Sequence, residues 1–257
     1  MTLKGRSGTA ELLARFPKAR PALPPRFQEI YAAQYKENRS GESKAASLSQ
    51  RLESWMHRQV AADVAGRTDG GGSTLELGAG TLNQLPFEPA CAVYDVVEPF
   101  SELFAGSPRL ARVREVFSDI GEVPAGRGYD RITSVAALEH ICDLPLVLAR
   151  SAGLLNPGGA FRAAIPSEGG LLWGIGWRLT TGLEFRLRHG LEYKVMMDHE
   201  HLNTAREIEA LVRLLFEEVE VRACGLGRHL SIYRFIAARR PRPEIAARWE
   251  AAFSPAA

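Results

Sequence analysis

Two short stretches decide the fold of this chain: Thr74-Leu75-Glu76-Leu77-Gly78-Ala79-Gly80 and Val93-Tyr94-Asp95-Val96-Val97-Glu98. Each begins as a mainly apolar run of strand length, and the first ends in a glycine turn whereas the second ends in one acidic residue. Glycines at 78 and 80 let the backbone turn sharply and approach a ligand that a side chain would block. Glu98 lies 20 residues after Gly78, where a carboxylate can accept hydrogen bonds from both hydroxyls of a ribose. The spacing predicts a nucleoside-binding site.

The composition is that of a soluble globular protein and excludes several classes. The 257 residues suffice for one sizeable α/β domain with an appended piece, and 46% are hydrophobic and 24% charged. A net charge of +2 without a basic stripe gives no reason to expect a nucleic-acid partner. Cys91, Cys142 and Cys224 are far apart and lack metal-ligand spacing, so we expect free thiols in a reducing compartment. No apolar stretch reaches the length of a membrane span and no apolar segment follows the basic N-terminus, which predicts a cytoplasmic enzyme.

Strand and helix patterns alternate through the middle of the chain. The basic, proline-rich residues 1–24 predict a loose arm, and helices are predicted over 26–37 and 47–65. Helical stretches, clearest over 144–155, separate the early strands, and this alternation predicts parallel strands with right-handed crossovers. Thr204 and Glu207 have capping-box spacing for a helix that runs to about Phe216. A short loop makes the last strand pair antiparallel. The predicted strands are 74–78, 92–97, 111–116, 130–135, 159–165, 218–223 and 230–238.

Residues 167–202 interrupt the alternation with an aromatic and basic insertion. We interpret it as a cap that forms the substrate pocket, because Trp, Phe, Tyr and Arg suit a substrate with a ring or apolar face and an anionic group. Packing of the aromatic residues as a small core is the alternative. A lipid-surface contact through Trp173, Trp177 and the arginines is a secondary alternative. We divide the chain into N-terminal arm and helices (1–66), a main domain (67–240) and a C-terminal tail (241–257).

Further motifs sharpen the nucleoside prediction. A dinucleotide fingerprint requires a third glycine where this chain has Asn83, so no clear pyrophosphate cradle remains. Asp119 follows the third strand, the run 129–140 forms and follows the fourth, and Leu154-Leu155-Asn156-Pro157-Gly158-Gly159 precedes the fifth. In this order the motifs resemble those of the class I (Rossmann-like) S-adenosylmethionine-dependent methyltransferases, type 11/12-like, over roughly residues 50–240. The resemblance implies an α/β fold with a seven-stranded, mostly parallel Rossmann-like sheet, an antiparallel C-terminal strand, N-terminal helices and a helical, aromatic cap.

The resemblance also implies S-adenosylmethionine as cofactor and a role for each matching position. Glu98 would hold the ribose hydroxyls, Asp119 would face the adenine amino group, and Ile120 would lie beside the ring. Ala136 would lie near the amino acid part of the cofactor. The methionine moiety and the sulfonium would be lined by Glu76, Gly78, Ala79 and Gly80.

The comparison with this family also concerns two tyrosines of the N-terminal helix and one position where this chain differs from the family pattern. Tyr31 and Tyr35 lie on a helix that folds over the cofactor in similar enzymes, so they are candidates to close the pocket. The family often has a third glycine near Leu82, and a leucine there leaves the shape of the turn open.

Methyl transfer is an in-line displacement, so the protein must mainly align acceptor, methyl and sulfur. A hydroxyl acceptor also needs a base, and His140, His199 and His201 are the candidates. His140 is equally a candidate for a pocket wall. The run Asp198-His199-Glu200-His201 has four titratable groups, but consecutive side chains point in different directions, and we predict no metal site.

These observations predict a methyltransferase that uses S-adenosylmethionine and a small-molecule acceptor. The acceptor atom would be oxygen or nitrogen, on a sugar, a lipid-linked compound or a secondary metabolite. Two alternatives stay open: a non-catalytic Rossmann-like module that uses the insertion for protein contact, and an NAD(P)-dependent oxidoreductase.

Overall fold

The computed structural model describes residues 3–39, 47–68, 72–89, 91–227 and 230–254, and its centre is a seven-stranded sheet. The strand order is β3-β2-β1-β4-β5-β7-β6. β1 therefore lies between β2 and β4, where the direction of the chain connections reverses, and ligands of open α/β sheets bind at such a point. The strands are β1 (Ser73–Leu77), β2 (Val93–Val97), β3 (Glu115–Phe117), β4 (Tyr129–Val135), β5 (Leu155–Pro166), β6 (Phe216–Gly225) and β7 (Ser231–Pro241).

The predicted sheet class is confirmed. The five strands β1 to β5 are parallel to one another, whereas β7 is antiparallel to both β5 and β6. The third strand was predicted over 111–116, but the structure has it at Glu115–Phe117, so this prediction is wrong in position and length. A 3-10 turn, Pro108–Arg112, occupies the start of the predicted range. Ser107 starts this turn by accepting a hydrogen bond from the Arg109 N–H.

The crossovers differ from the sequence-based expectation of a helix between successive strands. Among the described residues, the β1–β2, β2–β3 and β3–β4 connections contain no α-helix, whereas the β4–β5 connection contains α4 (Leu144–Gly153). Prolines punctuate the earlier connections, and proline lacks the N–H that a helix interior needs. The elements there are 3-10 turns at Leu85–Phe87, Ser101–Leu103, Pro108–Arg112 and Ile120–Glu122.

In the part of the chain before β1 that the structure describes, the helices are α1 (Leu3–Leu13), α2 (Pro25–Arg39) and α3 (Ser47–Ala61). The expectation of a loose arm is wrong for its described part. Phe16 is buried in the main core, and the Lys18 ammonium donates to the Leu202 carbonyl at 2.7 Å and to the Glu207 carboxylate at 3.0 Å. These long-range contacts fix the arm, and no local sequence pattern shows them.

The insertion is helical, with α5 (Leu171–Trp177), a π turn (Arg178–Gly182), α6 (Leu183–His189) and α7 (Lys194–Glu200). α8 (Ala205–Leu215) follows and begins with the expected reciprocal capping box between Thr204 and Glu207. The segment assigned to a tail contains α9 (Pro243–Phe253), whose Ala246 and Trp249 are buried in the main core.

Candidate functional site

The candidate site begins where four parallel strands end in one row. Leu77 pairs with Val97 and with Ser134, and Val97 pairs with Phe117. The backbone continues this ladder by one step, since the Gly78 N–H donates to the Val97 carbonyl at 2.8 Å and the Glu98 N–H donates to the Phe117 carbonyl at 2.8 Å. The residues after β1, β2, β3 and β4 therefore border one cleft at the carboxyl edge of the sheet.

Gly78 and Gly80 both adopt left-handed backbone conformations, with φ of 69° and 51°. A Cβ on Gly78 would lie 2.4 Å from the Ala137 Cβ, whereas a Cβ on Gly80 would meet nothing within 4 Å. Gly78 is thus required by packing against the loop after β4. Gly80 leaves open space at the cleft, where a ligand can approach the backbone.

Leu82 resolves the open question about the turn after β1. Its φ of 60° is the left-handed conformation that favours glycine, and its side chain is fully buried with Leu85, Tyr94 and Phe104. The turn therefore keeps the backbone shape of a glycine position, and burial of the leucine offsets a conformational cost of about 1 kcal/mol.

Glu98 links the glycine turn to the end of β2. Its Oε2 accepts from the Gly80 N–H at 2.8 Å, and its Oε1 accepts from the Phe100 N–H at 3.0 Å. The residue is buried at the cleft wall. A carboxylate oxygen has two acceptor positions, so each oxygen keeps one for a ligand hydroxyl.

Asp119 and Ile120 follow the adjoining strand β3. Asp119 caps the following 3-10 turn, where its Oδ1 accepts from the Gly121 N–H at 2.6 Å, and its side chain remains 69% exposed. Ile120 is buried and presents an apolar wall. Ala136, after β4, also has a left-handed φ of 49° and is fixed by a bond from its N–H to the Ala164 carbonyl.

The cleft has a volume of about 660 Å³, within the range of small-molecule sites. Sequence reasoning missed Arg20, Phe100 and Ser118 as lining residues, and it named Glu200 only as one member of the titratable run 198–201. Of the candidates, the structure brings together Tyr31, Gly78, Gly80, Glu98, Asp119, Ile120, Ala136, His140 and His199.

Glu76 and Ala79 do not line this cleft. Ala79 is buried with Leu82 in the second apolar cluster. The side chain of Glu76, in β1, is buried and accepts a hydrogen bond from the Tyr94 hydroxyl at 2.8 Å. Burial raises the pKa of Glu76 to about 8, against the hydrogen bond from Tyr94. Tyr35 lies on α2, but its side chain is outside the described part of the structure.

A polar wall closes the other side of the cleft. The Arg20 guanidinium donates to the backbone carbonyls of His199 at 2.8 Å and of His140 at 2.9 Å. Tyr31 packs edge-on against His199, with ring centroids 5.5 Å apart. Burial alone would raise the pKa of Glu200, but hydrogen bonds from His140 and Tyr31 and the charge of Arg20 lower it to about 2. The N-terminal arm therefore supplies a cation to the site.

His140 and His199 differ in what their ring nitrogens can do. The Nδ1 atom of His140 lies 2.8 Å from the Glu200 carbonyl, and that of His199 lies 2.6 Å from the Pro21 carbonyl. Because a carbonyl only accepts, we assign the Nδ1 proton in both rings and leave Nε2 for proton exchange. Burial alone would lower the pKa of His140, but the hydrogen bond to Glu200 and the charge of Glu139 outweigh it and raise this pKa. His140 is therefore more often a cation than an ordinary histidine, which favours His199 as a base.

His201 lies behind His140 and outside the cleft. Its Nδ1 is 2.8 Å from the Glu168 Oε2, which also accepts from the Trp173 indole at 2.6 Å. The Trp173 ring stacks on His201 with centroids 6.1 Å apart. Within the parts of the chain that the structure describes, no three His, Cys, Asp or Glu side chains are grouped to hold a metal ion.

Comparison with known proteins gives structural neighbours only. No protein-family model matches the chain. No curated protein matches its sequence. An O-methyltransferase family protein from Burkholderia thailandensis has a TM-score of 0.52 and 18% identity, covering 92% of this chain and 70% of that chain. The N-methyltransferase NodS from Bradyrhizobium japonicum in complex with S-adenosylhomocysteine has a TM-score of 0.52 and 14% identity, covering 77% of this chain and 90% of that chain.

A third neighbour, a S-adenosylmethionine-dependent methyltransferase from Thermotoga maritima, has a TM-score of 0.50 and 19% identity, covering 74% of this chain and 90% of that chain. At these identities the similarity concerns the fold. This chain therefore has the fold of the class I, Rossmann-like, S-adenosylmethionine-dependent methyltransferases.

Proposed function

We propose that this protein is a S-adenosylmethionine-dependent methyltransferase that acts on the oxygen or nitrogen atom of a small molecule. The observation that carries the proposal is the cleft at the point where the strand order reverses. There an open glycine turn, a buried carboxylate with accepting capacity and an apolar wall border the same space. A nucleoside needs these three features at once.

The residues present fit the cofactor. Glu98 would accept the ribose hydroxyls, Asp119 would accept from the adenine amino group, and Ile120 would cover one face of the ring. The open side of Gly80 would face the methionine part. When bound, S-adenosylmethionine supplies an activated methyl group on a positively charged sulfur.

The chain's own contribution to the reaction would be alignment and proton handling. Arg20 and Glu200 fix the histidine wall, so the acceptor would enter a preformed space rather than order it on arrival. His199 would take the proton of a hydroxyl or amine acceptor on Nε2, because its Nδ1–H is held by the Pro21 carbonyl. His140, whose pKa is raised by its hydrogen bond to Glu200 and the charge of Glu139, would orient the acceptor as a hydrogen-bond donor.

The same geometry argues against the two alternatives. A pyrophosphate cradle uses the N-terminus of a helix after the first strand, and the described residues 78–89 form only turns and a 3-10 segment there. A non-catalytic module predicts either that cofactor binding is absent or that Trp173 or Trp177 blocks the acceptor channel. Neither tryptophan lines the cleft, and the cofactor titration tests the other possibility.

Isothermal titration tests the proposal with three ligands: S-adenosylmethionine, S-adenosylhomocysteine and NAD⁺. We expect the first two to bind and NAD⁺ not to bind. Glu98→Gln removes a charged acceptor of two hydroxyls and should weaken binding about tenfold to hundredfold. The matched control is Glu244→Gln, an exposed carboxylate in α9, which should bind as the unaltered protein does. Heat with NAD⁺ alone, or unchanged affinity in Glu98→Gln, contradicts the proposal.

A further inference from the structure

An exposed apolar stripe runs along the insertion, independent of the cleft. From α5 through the π turn to α6, a Leu or Ile recurs at every fourth residue. Single exposed apolar side chains are common on protein surfaces, but a regular row on one helical stretch is not. The five residues are Leu171, Ile175, Leu179, Leu183 and Leu187, with exposed fractions of 61%, 45%, 68%, 48% and 79%.

The stripe points away from the body of the protein. Phe185, between two residues of the stripe, is buried and stacks on Phe27 of α2 with ring centroids 6.2 Å apart. Residues two positions apart on a helix lie on roughly opposite sides. Leu183 and Leu187 therefore face outward because Phe185 faces inward.

The π turn keeps the stripe narrow. In an α-helix each four-residue step rotates by about 40°, so five such positions would spread over about 160°. A π turn closes its hydrogen bond one residue later than an α-helix does, so it has more residues per turn. The four-residue step across Arg178–Gly182 therefore rotates in the opposite sense and offsets part of the spread. Gly182 permits this local geometry, since a Cβ there would lie 3.1 Å from the Trp177 carbonyl oxygen. The backbone irregularity thus aligns the two halves of the stripe.

Basic residues flank the stripe. Arg178, Arg186 and Arg188 are exposed along the same stretch, against the single acid Glu184. Long arginine side chains can place their guanidinium groups at the level of lipid head groups while leucines enter the acyl boundary. Trp173, which the sequence analysis named only in the secondary lipid-surface alternative, turns inward onto His201 and Glu168.

We propose that the face formed by residues 171–189 docks on the surface of an anionic lipid bilayer and lies in the plane of the interface. The flanking arginines would contact the anionic lipid head groups, and the apolar row would enter the acyl boundary beneath them. A second copy of the chain fits less well, because a symmetric contact would bring the arginines of both copies together. No helix among the described residues is long and apolar enough to cross a bilayer, so the contact is interfacial.

Flotation with lipid vesicles tests this proposal on the full chain. One set of vesicles is phosphatidylcholine alone, and the other is phosphatidylcholine and phosphatidylglycerol in equal parts. We expect binding to the mixed vesicles that weakens as salt is raised. The triple variant Leu179→Ser, Leu183→Ser, Leu187→Ser should bind at least about tenfold more weakly. Val116→Ser, an exposed apolar site on the edge strand β3, is the matched control and should bind unchanged.

The charge component has its own variant, Arg186→Glu with Arg188→Glu, which should lose the preference for anionic vesicles without removing the leucines. Circular dichroism and the Tm show that each variant is folded. Absence of vesicle binding overturns the proposal, as does equal binding of the triple variant. If the unaltered protein does not bind vesicles but forms a dimer that the triple variant disrupts, the proposal is overturned in favour of self-association. Calorimetry with S-adenosylmethionine on the same samples separates this result from failure of the proposed function.

Discussion

Substitution of Gly80 distinguishes most clearly between a role in ligand binding and a role in stability. Gly80→Ala and Gly190→Ala place the same methyl group on left-handed backbones of φ 51° and 67°, and neither new Cβ meets an atom within 4 Å. Each substitution should therefore cost about 1 to 2 kcal/mol of unfolding free energy, from backbone conformation alone. For a chain of this size, each kcal/mol lowers the Tm by roughly 2 to 4 °C.

The two variants should differ in ligand affinity. Gly80 borders the cleft, whereas Gly190 ends α6. A Cβ on Gly80 occupies the space through which the ligand approaches the backbone, so the Kd for S-adenosylhomocysteine should rise at least about tenfold, or 1.4 kcal/mol. Calorimetry gives the Kd, and thermal unfolding without ligand gives the stability. An unchanged Kd in Gly80→Ala, or an equal rise in Gly190→Ala, would refute the reasoning.

Two further predictions concern packing and pH. Gly78→Ala should destabilise the protein by about 3 kcal/mol, because the new Cβ lies 2.4 Å from the Ala137 Cβ and the backbone is left-handed. Adding Ala137→Gly removes the clash but not the backbone strain, so it should restore roughly 1 to 2 kcal/mol in urea unfolding. No recovery in the double variant contradicts the assigned clash. The pKa of Glu200 falls from 4.5 to about 2, so the stabilisation that Glu200 contributes is present above pH 4.5 and is lost as the pH falls toward 2. The pKa of His140 is raised above 6.5, so the stabilisation that His140 contributes is present below pH 6.5 and is lost as the pH rises through the pKa of the folded state. The pair should stabilise most between about pH 4.5 and 6.5, and Glu200→Gln should flatten this maximum and lower the pKa of His140 measured by NMR titration; an unshifted His140 would contradict the pairing.

Local chemistry in the sequence determined the main elements. Apolar runs of strand length located most of the strands, and glycines 78 and 80 marked a turn whose left-handed backbone the structure contains. The Thr204 capping box and the short C-terminal loop also act over a few residues, so they could be read without tertiary information. Glu98 was placed by its position at a strand end, since parallel strands bring their carboxyl ends to one edge.

The tertiary structure decided which side chains share the cleft. Successive residues of a strand point to opposite faces of the sheet. Glu76 points toward Tyr94, with which it forms a hydrogen bond, and not into the cleft, and its position in the motif did not reveal this orientation. Arg20 reaches the cleft from a segment far away in the chain, and His140 and His201 meet as neighbours although only one lines the cleft. Such contacts depend on long-range packing and strand register, whereas the sequence alone specifies local conformation and the alternation of buried and exposed residues.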